Sequence, residues 1–269
     1  NNGFINDLDS VSKYGSDFNL QNNGHVVDAD LKAIEGSSIQ VENNALINDL
    51  TSKVSKGSEA LIINNSHVED LVSLSKYGSE SSILNNGSIP DFYGNAYEGS
   101  ELNVLNNQYL GDATTVAAKG SVVNLQNDGF VQELDAYSKY GGETNVLNHG
   151  QIVDADFFTN EGSEATLANS GLAEDVSAFT KNGSEFNVLN DGALNKLYAQ
   201  TSAGSDTNVL NNGHAGEITA KTFDCGPTNS TFNFLNNGLT EQLNTHTISA
   251  EANIANNGHI IQANLFDTA

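Results

Sequence analysis

The sequence predicts an all-β chain wound as a single parallel β-solenoid, with 21 residues per coil and about 12–13 coils. Three observations carry this expectation. Asn recurs at 1, 22, 43, 64, 85, 106, 127, 148, 169, 190 and 211, ten equal steps of 21 residues, and again at 236 and 256. Apolar residues late in each repeat alternate with polar ones, as in Phe18/Leu20, Ile39/Val41 and Leu102/Val104, which is the period of a strand. Each such segment lies between Gly-Ser and Asn-Asn-Gly, whose Gly and Asn tolerate positive φ and mark turns.

With positions counted from the repeating Asn as zero, the idealised repeat reads N-N-G-x-I-x-D-L-x-x-x-x-K-Y-G-S-E-x-N-V-L. The opening Asn-Asn-Gly is the first turn. Position 4 is mostly aliphatic (Ile5, Val26, Ile47, Val68) and position 7 mostly apolar (Leu8, Leu50, Leu71, Phe92), so one strand is expected near positions 3–8. Positions 8–13 vary most and read as a third strand or an outward arm. Position 14 is Gly in the first ten repeats, and position 15 is Ser in nine of those ten, the second turn. Positions 15–20 make another strand, with position 19 apolar from Leu20 to Ile254. A 63-residue period lies on top. Lys13-Tyr14-Gly15, Lys76-Tyr77-Gly78 and Lys139-Tyr140-Gly141 share it, as do Glu35, Glu98 and Glu161, so three coils behave as a higher unit.

A hairpin array would pair strands antiparallel within each repeat. The Asn column argues for parallel stacking instead. Equivalent amides then lie above one another, each donating to one neighbour and accepting from the other. Such a bond is worth roughly 1 kcal/mol net, and leaving a buried amide unpaired costs more. Stacking also buries an aliphatic column that one coil alone leaves open to water. Residues 1–214 are expected to form regular coils. Residues 215–269 read as degenerate coils of the same solenoid, with an irregular loop near 225–231 around Cys225-Gly226-Pro227. No polar cap precedes Asn1, so a raw strand edge that invites pairing is expected: either the solenoid continues in a longer chain or the ends of copies join.

Ten Lys, no Arg and 34 Asp and Glu give a formal net charge of −24. Nucleic acid is not an expected partner, because a phosphate backbone needs a basic face. No apolar run approaches about 18 residues, so no membrane span is expected. Cys225 is the one cysteine, which excludes an intrachain disulfide.

The sharpest candidate site is position 6, which holds Asp7, Asp28, Asp49, Asp70, Asp91 and Asp112, then Glu133, Asp154 and Asp175. Stacked about 4.8 Å apart, these carboxylates repel by roughly 1 kcal/mol per pair in water and by several in a poorer dielectric. Calcium would relieve that, since it takes carboxylate oxygens in flexible geometry. The plainer reading is a corner Asp that accepts turn amides and faces solvent. A second acidic column at position 16 (Asp17, Glu59, Glu80, Glu101) reads as a solvated face. His25, His67, His214 and His259 share position 3 but not adjacent coils, too far apart for one metal ion. No isolated carboxylate cluster breaks the repeat, so an enzyme is not expected. Tyr93, Tyr97, Phe157 and Phe158 lie in the variable stretch and are candidate contacts of a binding face.

The run Leu84-Asn85-Asn86-Gly87-Ser88-Ile89 resembles repeats of filamentous-haemagglutinin-type adhesins and autotransporter passenger domains. Those are secreted bacterial parallel β-helices with repeats of similar length. The resemblance implies an extracellular or cell-surface protein and carries over no catalytic residue. The expected role is structural: a fibre, matrix or surface-layer subunit whose partner is another copy, end to end. The alternative is an adhesin stalk or a segment that binds glycans or a cell surface, with calcium as a stabilising ion.

Overall fold

The computed structural model describes residues 1–223 and 229–268, and among them are twenty-five strands and no helix. The architecture is a parallel β-solenoid of about 12 coils, each turn taking about 21 residues. The chain divides into two compact units, Asn1–Glu133 and Leu134–Ala269, with the boundary inside strand Phe130–Lys139.

The first unit alternates ten-residue and six-residue strands. The long ones are β1 (Phe4–Lys13), β3 (His25–Ile34), β5 (Leu46–Ser55), β7 (His67–Lys76), β9 (Ser88–Tyr97) and β11 (Tyr109–Ala118). The short ones are β2 (Asp17–Asn22), β4 (Ser38–Asn43), β6 (Glu59–Asn64), β8 (Glu80–Asn85), β10 (Glu101–Asn106) and β12 (Val122–Asn127). Each long strand pairs in parallel with the next long one, and each short strand with the next short one, so two sheets face each other. Ladder partners in this unit are equivalents 21 residues apart, as in Asn64↔Asn85 and Asp49↔Asp70.

Positions 8–13 are neither a third strand nor an arm. Positions 8–12 continue the first strand, which runs from position 3 to position 12, and position 13 opens the corner turn. The continuity was hidden by a break in alternation at position 5. Val26↔Ile47 and Asp28↔Asp49 pair, but Val27 and Asn48 between them drop out of the register. The inward phase therefore shifts by one residue, and positions 4, 7, 9 and 11 all point inward. Val26, Ala29, Leu31 and Ala33 show it, each fully buried. Pro90 takes the skipped position in β9, where no ladder N–H is required.

The core is narrow and is filled by complementary sizes across it. A Cβ on Gly94 would stand 2.4 Å from Leu102 Cδ2, so the large residue of one sheet fills the gap left by the other. Where both sides are small and polar, they bond: Ser75 Oγ donates to Ser81 Oγ at 2.7 Å. At the Gly-Ser corner two successive residues have positive φ, as in Tyr77 (57°) and Gly78 (69°). The following Ser is buried. Ser58 Oγ donates to Ser55 O at 2.8 Å and accepts the Ser37 N–H of the preceding coil at 3.3 Å.

The second unit repeats this plan after β13 (Phe130–Lys139). Its long strands are β15 (Gln151–Asn160), β17 (Leu172–Lys181), β19 (Ala193–Ser202), β21 (His214–Phe223), β23 (Leu239–Ile248) and β25 (His259–Thr268). Its short strands are β14 (Glu143–Asn148), β16 (Glu164–Asn169), β18 (Glu185–Asn190), β20 (Asp206–Asn211), β22 (Thr231–Asn236) and β24 (Glu251–Asn256). Cys225 and the 225–228 part of the expected loop lie outside the described residues. The register resumes beyond them, with Asp206↔Thr231 and Asn211↔Asn236, so the longer step is absorbed between strands.

Candidate functional site

Stacking in register turns each repeat position into a column of side chains. Three columns bear on function.

The first is the Asn ladder. In the first unit Asn1, Asn22, Asn43, Asn64, Asn85 and Asn106 each donate Nδ2–H to the Oδ1 of the next, ending at Asn127, at 2.8–2.9 Å. In the second unit Asn148, Asn169, Asn190, Asn211 and Asn236 do the same, ending at Asn256, at 2.8 Å. Asn43 uses its whole capacity. It also donates to His67 O at 2.9 Å and accepts the Ala45 N–H at 3.3 Å. The second Asn of the motif forms an outer, exposed ladder of opposite polarity. Asn44, Asn65 and Asn86 donate backwards, to Asn23, Asn44 and Asn65, at 2.9–3.0 Å. The two ladders set their amide dipoles against each other. The doubled Asn was visible in the sequence; the opposed direction was not.

The second column is the acidic row. Asp7, Asp28, Asp49, Asp70, Asp91 and Asp112 lie in unbroken register in the first unit, all exposed. Asp28, Asp49, Asp70, Asp91 and Asp112 line a shallow groove of about 590 Å³ whose other side includes Thr51, Val72, Tyr93 and Thr114. In the second unit Asp154 pairs with Asp175, and the row then meets a cation, Lys196 Nζ, 3.1 Å from Asp175 Oδ1. Asp70 is pushed up to about 6. Loss of water comes first among the causes, then hydrogen bonds to Asp49 and Asp91, then their charge. Since Asp70 itself is exposed, we assign the lost water to the crowding carboxylates and not to an apolar core. Asp28 is raised by desolvation and by Asp49 and Asp7, and Asp154 by desolvation, Asp156 and Asp175. Below about pH 6 a proton on Asp70 relieves part of the repulsion along the row. Among the described residues no three His, Cys, Asp or Glu side chains converge as a metal-ion site. The row offers a cation one carboxylate per coil, in a line.

The second acidic column, at position 16, is capped by amides. Asn103 reaches Glu80 at 3.4 Å, Asn187 reaches Glu164 at 3.1 Å and Asn208 reaches Glu185 at 2.8 Å.

The third column is aromatic. Tyr137, Phe158 and Phe179 stack in the second unit with ring centroids 4.9 and 5.3 Å apart, their planes within 9°. Their 21-residue spacing was present in the sequence. Phe157 is not a surface contact, contrary to expectation. It is fully buried and packs on Phe186 across the core at 5.0 Å, because the phase shift at position 5 turns position 9 inward. Tyr93 stays outside, 38% exposed, and Tyr97 lies under Lys119 Nζ at 4.6 Å.

These columns define the class of the protein: a parallel β-solenoid repeat protein stabilised by buried amide ladders, as the resemblance to β-helix repeats implied. Compared with known proteins, the chain matches no family model, no curated protein and no solved structure. No helix among the described residues is long and apolar enough to cross a membrane.

Proposed function

We propose that this is a non-catalytic structural protein, an extracellular fibre, matrix or surface-layer subunit that joins copies of itself by coil stacking. The polarity of the Asn ladder carries the reading. Every coil offers an amide N–H on one edge and an amide oxygen on the other, so any coil edge complements the opposite edge of any other coil. A contact between unlike edges is heterologous and does not close on itself, the geometry of filaments. What an edge exposes is apolar as well. Leu265 on β25 is 58% exposed, whereas Leu31, at the same repeat position inside a stack, is fully buried. Such an edge is satisfied by more coils, whether of the same polypeptide or of a second copy; the proposal is that second copies supply them. The extracellular setting rests on the resemblance to haemagglutinin-type and autotransporter repeats.

Negative-stain electron microscopy of the purified chain, with calcium and then with EDTA, tests this. Filaments in both conditions support stacking by strands and amides alone. Filaments that vanish in EDTA would make the Asp7–Asp175 row a calcium-dependent joint. Discrete particles of single-chain size in both would refute self-assembly and favour an adhesin stalk or a glycan-binding segment.

A further inference from the structure

The Gly-Ser corner carries a column that neither the ladders nor the acidic row use. In the first unit it reads Tyr14, Glu35, Lys56, Tyr77, Glu98 and Lys119, one residue per coil. All six have positive φ, between 54° and 61°. A side chain in this conformation costs about 1 kcal/mol or more, and Gly or Asn would avoid most of it. Asn182 shows that Asn is accepted at this corner. The backbone therefore does not ask for Tyr, Glu or Lys here; their side chains must repay the strain. The tyrosines are exposed, Tyr14 by 81% and Tyr77 by 57%. Between them run ion pairs along the edge, Lys56 to Glu35 at 2.9 Å and Lys119 to Glu98 at 3.4 Å.

A three-coil period of one neutral, one anionic and one cationic residue has a geometric consequence. Reversed about its neutral member, the column presents cation to anion at every step. We propose that this edge pairs with the same edge of a second copy, running antiparallel, about a two-fold axis through Tyr77. Tyr77 then meets the partner's Tyr77, Lys56 meets the partner's Glu98, and Glu35 meets the partner's Lys119. Each pair occurs twice, as an isologous contact requires. A parallel pairing in register would set Glu against Glu and Lys against Lys, which costs several kcal/mol in a close contact. Tyrosine at the centre suits the role, as a rigid, amphipathic anchor with few torsions to freeze. The flanking columns at positions 12 and 16 belong to the outer faces of the two sheets, on either side of this edge.

The overall charge of −24 opposes any pairing of copies. At about 0.15 M salt, however, charges beyond roughly 8 Å are screened, while contacting pairs are not. The contact is narrow, so it falls in the weak class of interfaces and gains from repetition along a fibre. It is a sideways contact and does not rest on end-to-end stacking.

The test uses the full chain with Cys225→Ser, so that an introduced thiol is the only one. Tyr77→Cys is expected to give a disulfide-linked dimer under a mild oxidant. Glu35→Cys should not, because antiparallel pairing sets the two copies of residue 35 four coils apart, roughly 19 Å. Equal cross-linking at 77 and 35 would overturn the proposal in favour of parallel or random contact, and no cross-linking at 77 would overturn it outright. Charge reversal gives an independent reading by sedimentation. Glu98→Lys alone and Lys56→Glu alone should each weaken self-association at least about tenfold. Mixed together, the two variants should form a heterodimer, since each supplies the charge the other lacks. Circular dichroism and melting on each variant check that the fold is intact, at exposed Lys56 and at half-buried Glu98 alike. A mixture no more associated than its parts would sink the two-fold pairing.

Discussion

Asn64 Nδ2 donates to Asn85 Oδ1 across 2.9 Å, and neither side chain has any solvent exposure. Asn64 also accepts from Asn43 at 2.9 Å and from the Ser66 N–H at 3.2 Å, and donates to Ser88 O at 3.1 Å. Asn64→Ala removes all four bonds and strands buried partners on both adjacent coils. A loss of about 2–4 kcal/mol is expected, since unsatisfied buried groups carry the full cost of desolvation. Asn65→Ala, in the exposed outer ladder, should cost less than about 1 kcal/mol because water replaces the amide. Urea denaturation of the two variants, followed by circular dichroism, checks this; equal losses would contradict a dominant inner ladder.

Asp70 links stability to pH. Its pKa is raised from 3.8 to about 6 in the folded chain, so the native state holds this proton better than the unfolded state does. The stability it contributes is present in full below the unfolded pKa and is lost as pH rises through about 6. Asp28 and Asp154 shift in the same direction. Asp70→Asn should therefore melt higher than the parent at pH 7.5, with the gap narrowing at pH values below 6. A gap that does not change with pH would show that the row is fully relaxed by solvent.

Neighbouring corner residues should respond with opposite signs. Gly78 has φ +69°, and a Cβ added there would meet no atom within 4 Å, so space is not the constraint. Gly78→Val imposes backbone strain alone, about 1–3 kcal/mol. Tyr77→Gly relieves strain at φ 57° and should stabilise by up to about 1 kcal/mol, offset in part by the greater chain entropy of Gly. Thermal melts decide it; destabilisation by both would mean that the Tyr77 side chain contributes packing within its own coil.

Phe157 and Phe158 are adjacent in sequence and opposite in environment. Phe157→Ala empties a fully buried site against Phe186 and should cost about 3–5 kcal/mol. Phe158→Ala interrupts a half-buried outer stack between Tyr137 and Phe179, where the aromatic pairs are worth about 0.5–1.5 kcal/mol each beyond their area. Denaturant midpoints of the two variants would expose an error if Phe158 proved the costlier loss.

The sequence by itself determined the coil length, the parallel stacking and the Asn ladder. The reason is translation: in a stack of equal repeats each residue's neighbour is its own equivalent, so spacing alone names the contact partner of Asn64 or Asp49. The acidic row at position 6 was legible on the same ground. Only the tertiary structure decided which way each side chain faces. The residue skipped at position 5 shifts the phase of the long strand, which sends Phe157 inward and leaves Phe158 outside. Apolar spacing could not reveal that, because a missing ladder bond leaves no mark in composition. The opposed ladders of Asn64 and Asn65, the strained pair Tyr77-Gly78 and the raised pKa of Asp70 likewise arise from backbone geometry between coils. A repeat motif names what is stacked, and the backbone path between repeats sets how closely and in which direction.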